Sequence, residues 1–110
     1  MKKIFTVLVL IAATLTAEGQ ELNTLRNKID SLDNQLVEIL AERMKVCRDV
    51  GEYKIQHDLP VLQQGRFDAI LEKRSKQGEE KGMSSEFMRK LFTDIHDESC
   101  RQQEELMKKK

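Results

Sequence analysis

The chain has 110 residues, and its 19 basic residues are balanced by 19 acidic ones, so the formal net charge at pH 7 is zero. This balance argues against nucleic acid as a partner, because such recognition requires an excess of Lys and Arg. Charged residues make up 35% of the chain, with one Pro and no Trp, which is typical of a small helical protein. A single domain of this size buries only a marginal core, which favours oligomerisation.

Residues 1–19 have the pattern of a secretory signal peptide. Lys2 and Lys3 precede an apolar run, and small residues follow at Ala17 and Gly19. The run is shorter than the ~20 residues of a membrane-spanning helix, although an uncleaved anchor is the alternative. Without Lys2 and Lys3, 17 basic and 19 acidic residues leave a net charge of −2. We therefore expect a periplasmic or secreted protein with one domain over residues 20–110 and no membrane contact after cleavage.

Residues 22–55 predict one very long helix, because they contain no Pro and a single Gly, and their apolar residues recur every three or four positions. At ~1.5 Å per residue this helix is about 50 Å long, whereas a compact domain of this size is about 30 Å across. Part of its apolar stripe must be exposed, and a second copy of the chain is the simplest cover. Gly51 permits either a close helix contact or a kink. The stripe consists of Leu22, Leu25, Ile29, Leu32, Leu36, Ile39, Leu40, Val46, Cys47 and Val50.

Arg43 occupies a position of this stripe where an apolar side chain is expected. A bare buried guanidinium is costly, so it requires a buried carboxylate, a solvated gap or a bound anion. Lys54 follows on the same side about 16 Å further along, at ~1.5 Å per residue, so two long side chains can hold one small dianion. At the same rise per residue, Arg26 lies about 26 Å before Arg43 along the helix, which is too far for one small ligand to contact both side chains of one chain. Antiparallel packing of two such helices would bring Arg26 to the partner's site instead.

A second helix is predicted over residues 63–77. Pro60 ends the first helix, because it forces the residue before it toward extended geometry. Arg66 lies four residues before an apolar position and therefore on or beside the buried face. The apolar residues of this helix are Phe67, Ile70 and Leu71.

A third helix is predicted to begin after Ser84, a good N-cap, and Gly78 and Gly82 are expected to bracket a charged loop before it. Its apolar face turns polar at Ser99 and Gln103, which are four apart and share one side. Either the helix end is solvated there, or these two residues belong to a site. No nucleophile with a matched base, Gly-rich phosphate loop or metal-ligand spacing is evident. A set of donors without a nucleophile is typical of an anion binder, or of an enzyme that acts by positioning and electrostatics.

The chain resembles the all-helical class of chorismate mutases, in an exported form. The resemblance is carried, in order, by LRNKIDSLD at residues 25–33, AERM at 41–44, VGEYK at 50–54, Pro60-Val61, Arg66 and residues 92–103. It spans nearly the whole chain after the signal segment. It implies an intertwined all-α homodimer that converts chorismate to prephenate by a Claisen rearrangement without a cofactor.

The resemblance also implies residue roles. Arg43 and the partner's Arg26 would bind the two substrate carboxylates, assisted by Ser99 and Arg66. The two remaining positions, Lys54 and Gln103, would donate to the ether oxygen, and these bonds strengthen in the transition state.

The sequence departs from the family at the contact with the substrate hydroxyl. Many members have Glu where this chain has Phe67, and an Asp that is common a few residues earlier is Gln63 here. Gln63 is the candidate replacement. The departure keeps isochorismate pyruvate lyase open as an alternative activity, and a non-catalytic exported helical module is the alternative from another class.

Two cysteines and two histidines complete the candidate residues. Cys47 and Cys100 can form a disulfide in an oxidising compartment, but each also fits a small apolar position as a free thiol. His57 and His96 have no ligand partners at metal spacing, and we expect both to be structural or solvent-exposed.

Overall fold

The computed structural model describes residues 2–109, with side chains from residue 17 onward. It contains the helices α1 (Lys2–Gln56), α2 (Gln64–Glu80) and α3 (Ser85–Lys109), and the described residues include no strand. The predicted all-α class, with three helices and one of them very long, is confirmed. The chain divides into two compact units, Met1–Ala41 and Glu42–Lys110, and α1 contributes to both.

The helix α1 begins at Lys2, not at residue 22 as predicted. Nothing between the predicted signal segment and the apolar stripe breaks a helix, because a single exposed Gly19 costs only about 1 kcal/mol of helix propensity. The predicted signal peptide falls mostly on residues 1–16, whose side chains lie outside the described residues. Within the part of the chain whose side chains are described, no helix is long and apolar enough to cross a membrane.

The first unit carries the predicted apolar stripe on an open surface. Five side chains of its stripe are each between 46% and 62% exposed in the single chain, although their spacing is that of a buried helix face. A row of large apolar side chains at this spacing is unusual on the surface of a monomer. The five residues are Leu22, Leu25, Ile29, Leu32 and Leu36.

The second unit begins with the end of α1 and a loop that folds back over it. The helix ends at Gln56, close to the predicted end, and Asp58 takes the left-handed conformation with φ of 52°. The backbone N–H of Leu59 then donates to the carbonyl oxygen of Lys54 at 2.9 Å, and the N–H of Asp58 donates to Ile55 at 3.4 Å. These bonds close a Schellman-type end, so the loop is bound to the last turn of α1 before it reaches Pro60.

The boundary between α2 and α3 differs from the prediction. Gly78 lies inside α2 and is buried, whereas we expected it to start a loop. A Cβ at Gly78 would collide with Met88 of α3, so the missing side chain makes room for a close contact between the helices. The chain instead turns at Gly82, where φ is 86°, and Ser84 caps α3 as predicted by accepting from the N–H of Phe87 at 3.1 Å.

The interior of the second unit is small and mostly polar. Among the described residues Met88 is the one buried apolar side chain, and the buried polar side chains are Lys54, Ser75, Ser99 and Gln103. Gly51 lets α3 approach α1, because a Cβ there would lie 2.9 Å from Cγ of Gln103. Of the two alternatives considered for Gly51, a close helix contact or a kink, the close contact is therefore confirmed. Three of these four buried polar residues face one cavity.

Candidate active site

The second unit encloses a cavity of about 440 Å³ between α1, α2 and α3. This volume lies within the range of small-molecule pockets. The walls are apolar, with polar side chains at intervals. They consist of Arg43, Val46, Cys47, Val50, Lys54, Val61, Gln63, Arg66, Ile70, His96, Ser99, Cys100 and Gln103.

The lining of the cavity is cationic. Arg43, Lys54 and Arg66 contribute three positive charges, and none of the residues that line the cavity is Asp or Glu. In a partly desolvated site these charges favour an anion more strongly than they would in water. All but one of the predicted site residues of this chain lie around this cavity.

Arg43 contacts neutral groups only. Its Nη1 lies 3.3 Å from the hydroxyl oxygen of Ser99 and 3.6 Å from the sulfur of Cys47. Within the described residues it forms no ion pair with a carboxylate. A buried carboxylate, one of the three partners considered from the sequence, is therefore wrong for the single chain. Arg43 remains available to an anion in the cavity.

Lys54 is held by two acceptors. It is only 9% exposed, and its ammonium group donates to the carbonyl oxygen of Val61 at 2.7 Å and to Oε1 of Gln103 at 2.9 Å. An ammonium group has three protons, so one proton remains for a ligand. The loop after α1 thus fixes the head of Lys54 from one side and α3 fixes it from the other.

Gln103 links α3 to α1 through both ends of its amide. Its Nε2 donates to the carbonyl oxygen of Cys47 at 2.7 Å, while its Oε1 accepts from Lys54. The amide nitrogen has two protons, so one N–H is not used by Cys47. Gln103 and Ser99 are only 4% and 6% exposed, so the alternative of a solvated end of α3 is wrong at these two positions.

Gln63 and Arg66 bring α2 to the same cavity, and both are exposed. Gln63 stands at the N-cap position of α2 but makes no cap bond with its side chain. The side-chain amide of Gln63 is therefore not used to cap the backbone N–H groups of α2. Arg26 belongs to the first unit and is exposed, so its predicted role in a partner's site stays a prediction.

His96 is a cavity residue that the sequence interpretation did not place in the site. Its ring stacks on Phe67 with the centroids 4.0 Å apart and the planes inclined by 21°. Its Nε2 lies 3.3 Å from the sulfur of Cys100. Burial lowers the pKa of His96, and the positive charges of Lys54 and Arg43 lower it further, against the opposing effect of Asp97. The spacing of three residues before Ser99 could have indicated this position, because it puts both on one helix face.

The remaining candidates have structural surroundings. Cys47 and Cys100 are free thiols, and burial raises the pKa of Cys100. His57 is exposed, stacks on Tyr53 and bonds the backbone oxygen of that residue, as expected for a structural histidine. Within the described part of the chain, no three His, Cys, Asp or Glu side chains lie close enough to hold a metal ion.

Several known proteins are similar to this chain in sequence. The sequence model of the family described as chorismate mutase type II matches residues 25–104. A 4-amino-4-deoxychorismate mutase of Streptomyces pristinaespiralis is 30% identical over 89 residues, which cover 81% of this chain and 69% of the relative. A chorismate mutase of Methanocaldococcus jannaschii is 30% identical over 73 residues, covering 66% of this chain and 74% of the relative. The T-protein of Haemophilus influenzae is 36% identical over 69 residues, covering 63% of this chain and 18% of that protein.

Proposed function

Because the chain belongs to the type II chorismate mutase family and has the isomerase activity of a chorismate mutase, we propose that the cavity of its second unit is the site where chorismate becomes prephenate. One observation carries the proposal most strongly. The cavity is lined by three cations, without an acidic residue, and it has the volume of a small-molecule pocket. Chorismate is a small dianion, so its charge and size match this site.

The carboxylates of the substrate pair with the arginine side chains. Arg43 has no carboxylate partner among the described residues, and its contact with Ser99 keeps the guanidinium at the cavity wall. Arg66 adds a second charge from α2. Arginine suits this task, because its planar donors can bind both oxygens of a carboxylate.

The rate acceleration comes from Lys54. In the rearrangement the ether C–O bond breaks while a C–C bond forms within the same molecule, and the ether oxygen gains negative charge in the transition state. The free proton of Lys54 stabilises that oxygen, and Val61 and Gln103 already hold the ammonium group, so little reorganisation is needed. The unused N–H of Gln103 is the second donor. No proton has to be transferred, so activity persists through neutral pH.

The charge of the cavity favours chorismate over its 4-amino analogue. The relative from Streptomyces pristinaespiralis is named for 4-amino-4-deoxychorismate, whose aliphatic amine is protonated at neutral pH. The ammonium group of this ligand would be repelled by Arg43, Lys54 and Arg66, and the lining has no acidic residue to bind it. We expect the hydroxyl substrate to have the higher kcat/KM.

The active assembly is an intertwined homodimer with Arg26 supplied in trans. The exposed apolar stripe of the first unit, from Leu22 to Leu36, supports this, because a second copy would cover it. Mixing two inactive variants, Arg26→Ala and Lys54→Ala, tests the shared site. In a randomly exchanged two-fold dimer, about a quarter of all sites regain both residues, so about a quarter of wild-type activity should return. If activity stays at the level of the separate variants, Arg26 does not act across the dimer.

The activity itself is tested with the purified protein and chorismate. Loss of chorismate absorbance together with a product of unchanged mass supports the mutase. Release of pyruvate from isochorismate, without turnover of chorismate, would instead identify a lyase. No turnover of either compound would favour a non-catalytic module.

Export to the periplasm or the medium is part of the proposal. Its support is the pattern of residues 1–19, with Lys2 and Lys3 before an apolar run. Mass spectrometry of the protein isolated from each cell fraction tests it. Full-length protein found only in the cytoplasm would refute export.

A further inference from the structure

The ring hydroxyl of the substrate needs a partner that the cations do not provide. Arg43 and Arg66 are suited to the carboxylates and Lys54 to the ether oxygen, so the hydroxyl requires a neutral donor or acceptor. Two of the neutral groups are already engaged within the protein. Ser99 donates to the carbonyl oxygen of Ile95 at 2.9 Å, and the amide of Gln103 bonds to Lys54 and Cys47 and has its remaining N–H for the ether oxygen. A third neutral group, the amide of Gln63, is exposed at the start of α2.

His96 is the neutral ring in this lining. Its orientation is set from two sides, because it stacks on Phe67 of α2 and its Nε2 lies 3.3 Å from the thiol of Cys100. The contact with Cys100 engages one ring nitrogen and leaves Nδ1 for a ligand. A hydroxyl group both donates and accepts, so it can bond to either tautomer of a neutral imidazole.

Burial favours the neutral form of His96, because it is the largest of the effects that lower its pKa. Arg43 and Lys54 of α1 and Arg66 of α2 are the cations that share its cavity, while Asp97 is its acidic neighbour on α3. Burial and the positive charges lower the pKa of His96 more than Asp97 raises it. An imidazolium would add a fourth positive charge to this lining.

We propose that His96 is a specificity-determining residue that hydrogen-bonds the ring hydroxyl of the substrate while Phe67 holds its ring in place. This inference rests on the proposed function, since it requires that the cavity binds chorismate. It gives to α3 a contact for which Gln63 was the candidate from the sequence.

The test compares two substrates with three proteins. The substrates are chorismate and an analogue that lacks only the ring hydroxyl, and the proteins are wild type, His96→Phe and His96→Asn. The His96→Phe variant keeps an aromatic partner for Phe67 but has no ring nitrogen. A neutral hydrogen bond of about 1 kcal/mol corresponds to a five- to tenfold change, so kcat/KM for chorismate should fall roughly that far. The same variant should leave kcat/KM for the analogue within about twofold, because the analogue never made the bond.

The His96→Asn variant separates hydrogen bonding from packing. It loses the stacked ring but keeps a donor and an acceptor, so it should recover part of the discrimination between the two substrates.

Each result has one meaning. If His96→Phe lowers kcat/KM equally for both substrates, His96 has a structural role and the inference is wrong. An unchanged kcat/KM for chorismate would overturn it as well. If His96→Phe fails to fold, as judged by circular dichroism, the substrate ratio of His96→Asn decides, and an equal loss of kcat/KM for both substrates would overturn the inference. Failure of wild type to turn over chorismate would instead refute the proposed function.

Discussion

Replacing Lys54 by Ala removes the one buried ammonium group in the cavity. Loss of a preorganised donor to a developing oxyanion costs ~2.7–4 kcal/mol of transition-state stabilisation, or about 10²–10³ in rate. Lys54 is an ion with a low exposure of 9%, so the upper part of that range applies. The loss should fall on kcat rather than KM, because the ether oxygen gains its charge only in the transition state. Initial rates of chorismate loss measure both parameters.

The same substitution also removes contacts within the protein. The carbonyl oxygen of Val61 and Oε1 of Gln103 both lose their donor. A buried acceptor left unsatisfied costs about 1–3 kcal/mol, while water can replace the donor where the cavity admits it. We therefore expect the unfolding free energy of Lys54→Ala to fall by about 1–3 kcal/mol, with the protein still folded at 25 °C. Urea denaturation measures this loss.

Arg48→Ala is the matched control. Arg48 also joins α1 to α3, through a hydrogen bond of 2.7 Å from Nη1 to Oε1 of Gln102, but it is exposed and does not line the cavity. Its loss should cost no more than about 1 kcal/mol of stability and leave kcat unchanged. If Lys54→Ala kept more than about a tenth of wild-type kcat, the calculated loss of 10²–10³ would be refuted, and the role of Lys54 with it.

Three further predictions concern other parts of the second unit. The variant Gln103→Glu should be active only at low pH, because a carboxyl group donates a hydrogen bond only when it is protonated. Its kcat should therefore fall as pH rises through the pKa of the introduced carboxyl group, whereas wild type stays active at neutral pH. Gly51→Ala should destabilise the protein by about 1–3 kcal/mol, because the added methyl group would overpack the contact with Gln103. Its control is Gly65→Ala, where the added Cβ has nothing within 4 Å and should stabilise α2 by about 0.5–1 kcal/mol. Hydrogen bonds from Arg101 and from the side-chain amide of Gln102 lower the pKa of Glu98 to about 2, which an NMR titration should show.

The outcomes that would contradict these predictions are equally specific. An acid optimum in wild type would argue against a neutral amide as donor at Gln103. Equal stability of Gly51→Ala and wild type would show that α3 moves away at little cost. For Glu98 the native pKa is depressed, so its contribution to stability is present above the ordinary value of 4.5 and is lost as pH falls toward 2. Glu98→Gln should therefore show a weaker loss of stability than wild type in that window, and an identical loss would refute the assignment.

Helix positions followed from the sequence wherever local chemistry decides them. The end of α1 near Pro60 and the cap at Ser84 depend on residues within one turn, and both predictions agree with the structure within one residue. The prediction that Gly78 starts a loop was wrong, because the position of Gly78 is not decided by local chemistry. Its place inside α2 depends on the contact with Met88 of α3, and a contact between helices overrides the propensity of one glycine.

The site residues show the same division. The spacing of Arg43 and Lys54 along one helix predicted that both face the same side, because the helical repeat alone decides it. Two parts of the cavity had no such local origin. The carbonyl oxygen of Val61 has no side-chain pattern that could mark it. His96 was interpreted as structural or solvent-exposed because it has no ligand partners at metal spacing, and its stacking on Phe67 joins two different helices.

The helical period of the sequence was enough to establish that this protein is helical and that Arg43 and Lys54 share the face of a long apolar stripe, because a period of 3.6 residues is a property of the local chain. How Lys54 is held depends instead on packing between helices that are far apart in the sequence. The bond from Lys54 to Gln103 joins residues 49 apart, and the bond from Gln103 to the carbonyl oxygen of Cys47 joins residues 56 apart. Such contacts exist only after α3 has packed against Gly51, and they turn an unusual row of polar residues into a site with a fixed geometry.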